Sequence, residues 1–195
     1  MSSSPNPTRT KILDATIDLL QAGEGGKVRM ADIARAAGLS RQAVYLHFPS
    51  RADLLIAATR HVDARKDIDA RLVESRAAPT GKARLKAFIA AWAGYIPEIY
   101  GVGKALMEMA PGDPEAAQAW SDRMAALRHG CAAAVAALAR DGHLKKGLSE
   151  AHATDLLWTL LSVRNWEMLR HDCGWSQDDY LRHISRTVRR ALVSG

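Results

Sequence analysis

The chain has 195 residues, 48% of them apolar and 25% charged, with abundant alanine and few β-branched or aromatic side chains, a balance that suits a globular helical protein. Its two cysteines, Cys131 and Cys173, lie in helical patterns and exclude a disulfide-rich frame, and its longest apolar run, residues 131–139, falls far short of the roughly 20 residues that span a bilayer. The formal charge is +6, and residues 1–60 hold half of the excess, with eight Lys and Arg against five Asp and Glu, which points weakly to a polyanionic partner.

Residues 1–7 are rich in Ser, Pro and Asn and lack the apolar stretch of a signal peptide, so they read as a tail and the chain as cytoplasmic. Leu13, Ile17 and Leu20 mark a first amphipathic helix, with Gly23, Gly25 and Gly26 as its stop. Met30, Ile33, Ala34 and Ala37 share the face of a second, shorter helix that Gly38 breaks. Ser40 then caps a third, residues 41–48, which Pro49 closes. Ser50 and Asp53 form a capping box for a fourth helix, expected to run without interruption over residues 50–76.

Residues 77–81, AAPTG, are the best candidate boundary, and everything after them also reads as helix. Leu85, Phe88, Ile89 and Trp92 form one stripe, residues 99–109 a short helix, and residues 111–114 a loop. Trp120, Met124, Leu127, Cys131, Val135 and Leu138 keep a period near 3.6 until Gly142. Ser149 caps a helix over residues 149–173 with more apolar surface than one core face can hide, and Ser176 to Asp179 opens the last helix. Leu161 and Ile184 are therefore expected at a dimer contact. An all-α chain of about nine helices is predicted, with an N-terminal three-helix domain over residues 8–60 and a C-terminal helical domain over residues 61–195.

MADIARAAGLSRQAVYLHF, residues 30–48, has what a helix-turn-helix requires. Ala34 is small where the second helix crosses, Gly38 permits the tight turn, and Ile33, Leu39 and Val44 supply the core between the helices. The outward positions are then Arg41, Gln42 and Ala43, with Tyr45, Leu46 and His47 one turn on. Arg pairs bidentately with guanine and Gln with adenine. Tyr45, His47 and the amides behind Ser40 are expected at phosphates.

With ILDATIDLL before it and PSRADLL after it, this segment resembles the DNA-binding domain of the tetracycline-repressor (TetR) family, and GWSQDDYLRHI, residues 174–184, resembles the start of the last helix in many members. The resemblance covers about a quarter of the chain. It implies a homodimer that represses from a palindromic double-stranded DNA operator and is released when a small molecule occupies the larger domain, which would serve ligand binding and dimerisation. Arg29 departs from the family, which usually has Ser or Thr at that cap, and is expected to replace the hydroxyl at a phosphate. Arg51, at the start of the fourth helix, joins the expected DNA contacts.

No nucleophile elbow, phosphate-binding glycine loop or spaced pair of carboxylates indicates an enzyme, and no cofactor is implied. His171, Asp172 and Cys173 are consecutive and point in different directions, so they do not make a metal site with His152. Four of the five Trp lie from Trp92 to Trp166, and helical bundles place pockets between their helices. Trp92, Tyr95, Tyr100, Met107, Trp120, Met124 and Trp158 are the candidate contacts to an apolar or aromatic effector, with Asn165 as the polar one. Two alternatives stand beside the repressor: an activator or architectural DNA-binding protein without a ligand, and a helical small-molecule enzyme.

Overall fold

The computed structural model describes residues 6–22 and 28–194, so the glycine stop expected at residues 23–26 lies outside the described residues. Among those described, the secondary structure is helical apart from turns and one isolated bridge between Leu144 and Val193. The chain divides into two compact units. One holds residues up to Lys66 together with Ile99–Arg123, the other Asp67–Glu98 and the residues from Met124 onward.

In the first unit, Asn6 opens α1 (Pro7–Gln21): its side chain accepts from the amides of Thr8 and Arg9, and Pro7 occupies a position whose amide would have no helical partner. α2 (Met30–Ala36) and α3 (Arg41–His47) are joined through Gly38, whose φ of 61° is the left-handed conformation that glycine adopts without strain. α4 (Arg51–Arg65) follows, capped by Ser50 through the Asp53 amide at 3.1 Å. Ile12, Ile33, Ala37, Val44, Phe48, Leu54 and Leu55 are all essentially inaccessible and form the common core of these four helices.

α4 does not run to residue 76. It stops at Arg65, and Asp67 takes φ 51°, ψ 50°, where its side chain caps α5 (Ile68–Arg71) by accepting from the Ala70 amide. Asp tolerates this left-handed conformation better than most residues because its short carboxylate finds a local amide. α6 (Val73–Ala77) completes the connection.

α7 (Gly81–Met109) and α8 (Pro114–Arg140) each contribute residues to both units. The separate short helix expected over residues 99–109 is instead the end of α7, which continues through Pro97. A proline at this position cannot donate to the carbonyl four residues earlier, that of Ala93. Gln177 donates Nε2 to that carbonyl at 2.9 Å, and its Oε1 accepts from Trp166 Nε1 at 2.9 Å, so the defect is satisfied from another helix. At the start of α7, a Cβ on Gly81 would lie 2.5 Å from the Ala137 carbonyl oxygen and the Leu138 Cα, which is why the two helices can approach so closely there.

The helix expected over residues 149–173 is broken. α9 (Glu150–Leu160) ends at a turn, Ser162 in extended conformation caps α10 (Val163–Glu167), and Met168–Asp172 winds as a π-helix before α11 (Gln177–Leu192). The carbonyls released by this break are taken up by side chains. Asn165 Nδ2 donates to Leu160 O and Trp92 Nε1 to Leu161 O, both at 2.9 Å. Leu161 and Ile184 are 0% and 4% exposed within a single chain, so they belong to the protomer's own core and not to a dimer contact.

Candidate nucleic-acid interface

Ser40 sets the start of α3, accepting from the Ala43 amide at 3.1 Å with its own backbone extended. Seven residues of helix then have one face to bury, and Val44 takes it, fully enclosed. Arg41, Gln42, Tyr45 and Leu46 are exposed as a consequence of the helical period, while Ala43 and His47 are half-buried at the margins. Leu46 is 82% exposed, an apolar side chain with no core to enter. Arg41 and Tyr45, one turn apart, lie together: the guanidinium carbon is 5.5 Å from the ring centroid, and Nη2 is 3.4 Å from the phenolic oxygen.

Chemically this row presents a fork of donors, an amide with both donor and acceptor, a phenol and a methyl-bearing side chain. Those are the groups that read guanine, adenine, phosphate and the thymine methyl. Arg29 stands exposed and extended before α2, and its side chain makes no cap to the first amides of that helix.

Arg51, expected at DNA, is instead drawn inside: its side chain is 6% exposed, with Nη1 2.6 Å from Asp113 Oδ2 and 3.5 Å from Glu115 Oε2, and Nε donating to the Val28 carbonyl. A guanidinium committed to a buried carboxylate has no free fork to offer a phosphate. The sequence pattern missed Arg9 in turn. Its Nη1 donates to the His47 carbonyl at 2.9 Å and its guanidinium covers the Phe48 ring at 4.1 Å, so it holds the C-terminal end of α3. The partner is 38 residues away, and no local spacing announces it.

The candidate effector contacts fall into separate units. Tyr100, Met107 and Trp120 belong with the first, and Trp92, Tyr95, Met124, Trp158 and Asn165 with the second. Trp92 and Tyr95 are buried and meet edge to face at 5.9 Å. Trp92 Nε1 and Trp158 Nε1 donate to backbone carbonyls, the latter to Met124 O at 3.0 Å, and Asn165 Nδ2 does the same, which leaves the ring faces of the two Trp and the Oδ1 acceptor of Asn165 as what they can offer a ligand. Among the described residues no three His, Cys, Asp or Glu come together as a metal-binding group. Desolvation pushes the buried Cys131 thiol up to about 12, which keeps it protonated and poorly nucleophilic at neutral pH.

The family model for bacterial regulatory proteins of the tetR family matches residues 12–58. The chain is 39% identical over 54 residues to a nucleoid occlusion factor SlmA of Marinomonas, covering 28% of this chain and 27% of the relative. It is 41% identical over 61 residues to the HTH-type transcriptional repressor LfrR of Mycolicibacterium smegmatis, covering 31% of each. The aligned part thus spans less than a third of these relatives' length. A transcriptional regulator from Saccharomonospora viridis, solved in complex with choline, superposes with a TM-score of 0.72 at 19% identity, over 96% of this chain and 98% of that one. No helix among the described residues is long and apolar enough to cross a membrane.

Proposed function

We propose, for a chain whose residues 12–58 belong to the tetR family of bacterial regulatory proteins and whose fold is that of TetR-type regulators, that it is a homodimeric cytoplasmic repressor which binds a palindromic operator and is released by a small apolar or aromatic effector. The observation that carries this reading is the exposed row Arg41, Gln42, Tyr45 and Leu46 on a helix held from behind by Val44 and Arg9. Two such helices about one DNA turn apart, roughly 34–36 Å, enter successive major grooves. On a duplex selected from a random pool, Arg41→Ala is expected to lose roughly 1–3 kcal/mol of discrimination while binding to unselected DNA changes little. Equal losses on both duplexes would remove Arg41 from base reading.

The dimer contact is assigned to the apolar side chains that α9 and the π-helix leave uncovered, Leu156 at 43% and Met168 at 58% exposure. Substituting both by Glu is expected to yield a folded monomer by analytical ultracentrifugation, with the helical content of the parent chain. A double variant that still sediments as a dimer places the contact elsewhere.

Release requires a ligand that prefers the conformation unable to bind DNA. α4 ends at Arg65, so residues 50–76 do not form one rigid rod that could carry a displacement to the DNA-reading helix. The route we assign instead is the segment Ile99–Arg123, which shares a compact unit with the reading head and is held to α4 by Arg51–Asp113, by Arg60–Asp122 at 2.8 Å and by Asp63–Arg123 at 2.5 Å. The same helices, α7 and α8, carry six of the eight candidate effector residues, Tyr100, Met107 and Trp120 within this segment and Trp92, Tyr95 and Met124 beyond it. A coupling of roughly 1–3 kcal/mol would weaken operator binding about 5- to 150-fold, and operator must weaken effector binding by the same factor. Tryptophan fluorescence titrations with and without duplex measure that reciprocity. The second reading is an activator or architectural DNA-binding protein without a ligand, and an operator affinity unchanged by any small molecule that binds the chain would favour it.

A further inference from the structure

Along the second unit, the first turns of α7 and the outer face of α11 enclose a groove of about 520 Å³, within the range of small-molecule sites. Leu85 and Ile89 form its floor, with Ala83 and Val193 beside them. Its rim is Lys82, Lys86, Arg182, Arg186 and Arg189, and no carboxylate lines it. Arg182 is paired with Asp179. The other four cations have no ion pair or side-chain hydrogen bond among the described residues, although elsewhere in the chain Arg side chains regularly find carboxylates. None of the candidate effector residues takes part in it.

Four unpaired like charges around one apolar floor repel each other, and an anion between them removes that repulsion. An arginine fork is shaped for a carboxylate or phosphate, and the aliphatic stems of Lys and Arg extend the apolar floor toward the rim. A second copy of the chain is a poor occupant, because a two-fold pairing across this face would oppose the same cations. We infer that the groove between α7 and α11 binds a soluble amphiphilic anion, with its tail on Leu85 and Ile89 and a carboxylate or phosphate head held by Lys86, Arg186 and Arg189. This site is separate from the effector site proposed above and does not depend on it.

Calorimetric titration of the full chain tests the inference with dodecanoate, dodecyl phosphate, dodecyltrimethylammonium and inorganic phosphate, each kept below its micellar concentration. Saturable one-to-one binding of one or both anionic amphiphiles is expected, their relative affinities identifying the preferred head, with the cationic one at least tenfold weaker. R186Q/R189Q should weaken the anions at least tenfold while circular dichroism, melting temperature and sedimentation stay those of the parent. Equal binding of both charges, or anion affinity unchanged in R186Q/R189Q, overturns the site. A variant that turns monomeric without amphiphile assigns the face to a second copy, and competition by random duplex DNA assigns it to nucleic acid, and either result overturns the proposal. Should R186Q/R189Q fail to fold, L85Q and K86Q made singly carry the same expectation.

Discussion

Replacing Asp113 with alanine is expected to lower the unfolding free energy by about 3–5 kcal/mol, the usual cost of leaving one half of a buried ion pair without its partner. Asp113 is 4% exposed and Arg51 6%, and water cannot replace the lost carboxylate without opening the packing. Glu115 is 3.5 Å from the same guanidinium but 41% exposed, so it compensates only in part. Asp113 also accepts from the amides of Glu115 and Ala116 through Oδ1, and losing this cap adds to the effect. The variant Arg51→Met/Asp113→Leu removes both charges and should recover most of the loss, because a well-packed apolar pair is often as stable as the ion pair it replaces. Urea unfolding followed by circular dichroism measures all three chains. A loss below about 1 kcal/mol for Asp113→Ala would show that the pair is not buried in solution, and the proposed route from residues 99–123 to the reading head would lose its anchor.

Raising the salt from 50 to 200 mM is expected to weaken binding to the selected duplex by at least about tenfold. Of the proposed phosphate contacts Arg29 is the one full cation, so the proposed dimer neutralises at least two phosphates, each contributing a slope of about −0.9 in the logarithm of the affinity, while Tyr45 and His47 add hydrogen bonds. Arg29→Ala should flatten the slope by roughly two, one contact from each protomer, and weaken selected and random duplexes alike. Tyr45→Phe and His47→Ala are expected to lower both affinities without sharpening or relaxing the choice of sequence. Fluorescence anisotropy at several salt concentrations measures the slope. A slope that Arg29→Ala leaves unchanged would return Arg29 to the class of solvated surface charges, and a slope near zero for the parent chain would mean that the chain docks without neutralising phosphates.

Much of the reading head was legible before any fold was known, because its determinants act within a few residues. Ser40, Ser50, Ser149 and Ser176 each accept from the amide three positions on, at 3.0 to 3.2 Å, as their positions ahead of apolar-periodic segments predict. Gly38 takes the positive φ that the turn needs, and the alternation of Val44 with Arg41, Gln42, Tyr45 and Leu46 follows from the helical period alone. What only the tertiary structure decided depends on partners far away in the chain. Residues 99–109 read as a separate short helix, yet α7 runs on through Pro97 because Gln177, 84 residues from Ala93, satisfies the carbonyl that proline leaves bare. Residues 149–173 read as one helix until Trp92 and Asn165 satisfy the carbonyls of a break. Arg51 stands in the right place for a phosphate contact, yet Asp113, 62 residues on, draws it inside, while Arg9 is brought to the end of α3 by the packing of α1. A cap or a turn is a contest among neighbours and is written locally. The fate of a long cation or an orphaned carbonyl is settled by whichever complementary group the packed chain delivers within about 3 Å, and local spacing does not encode that delivery.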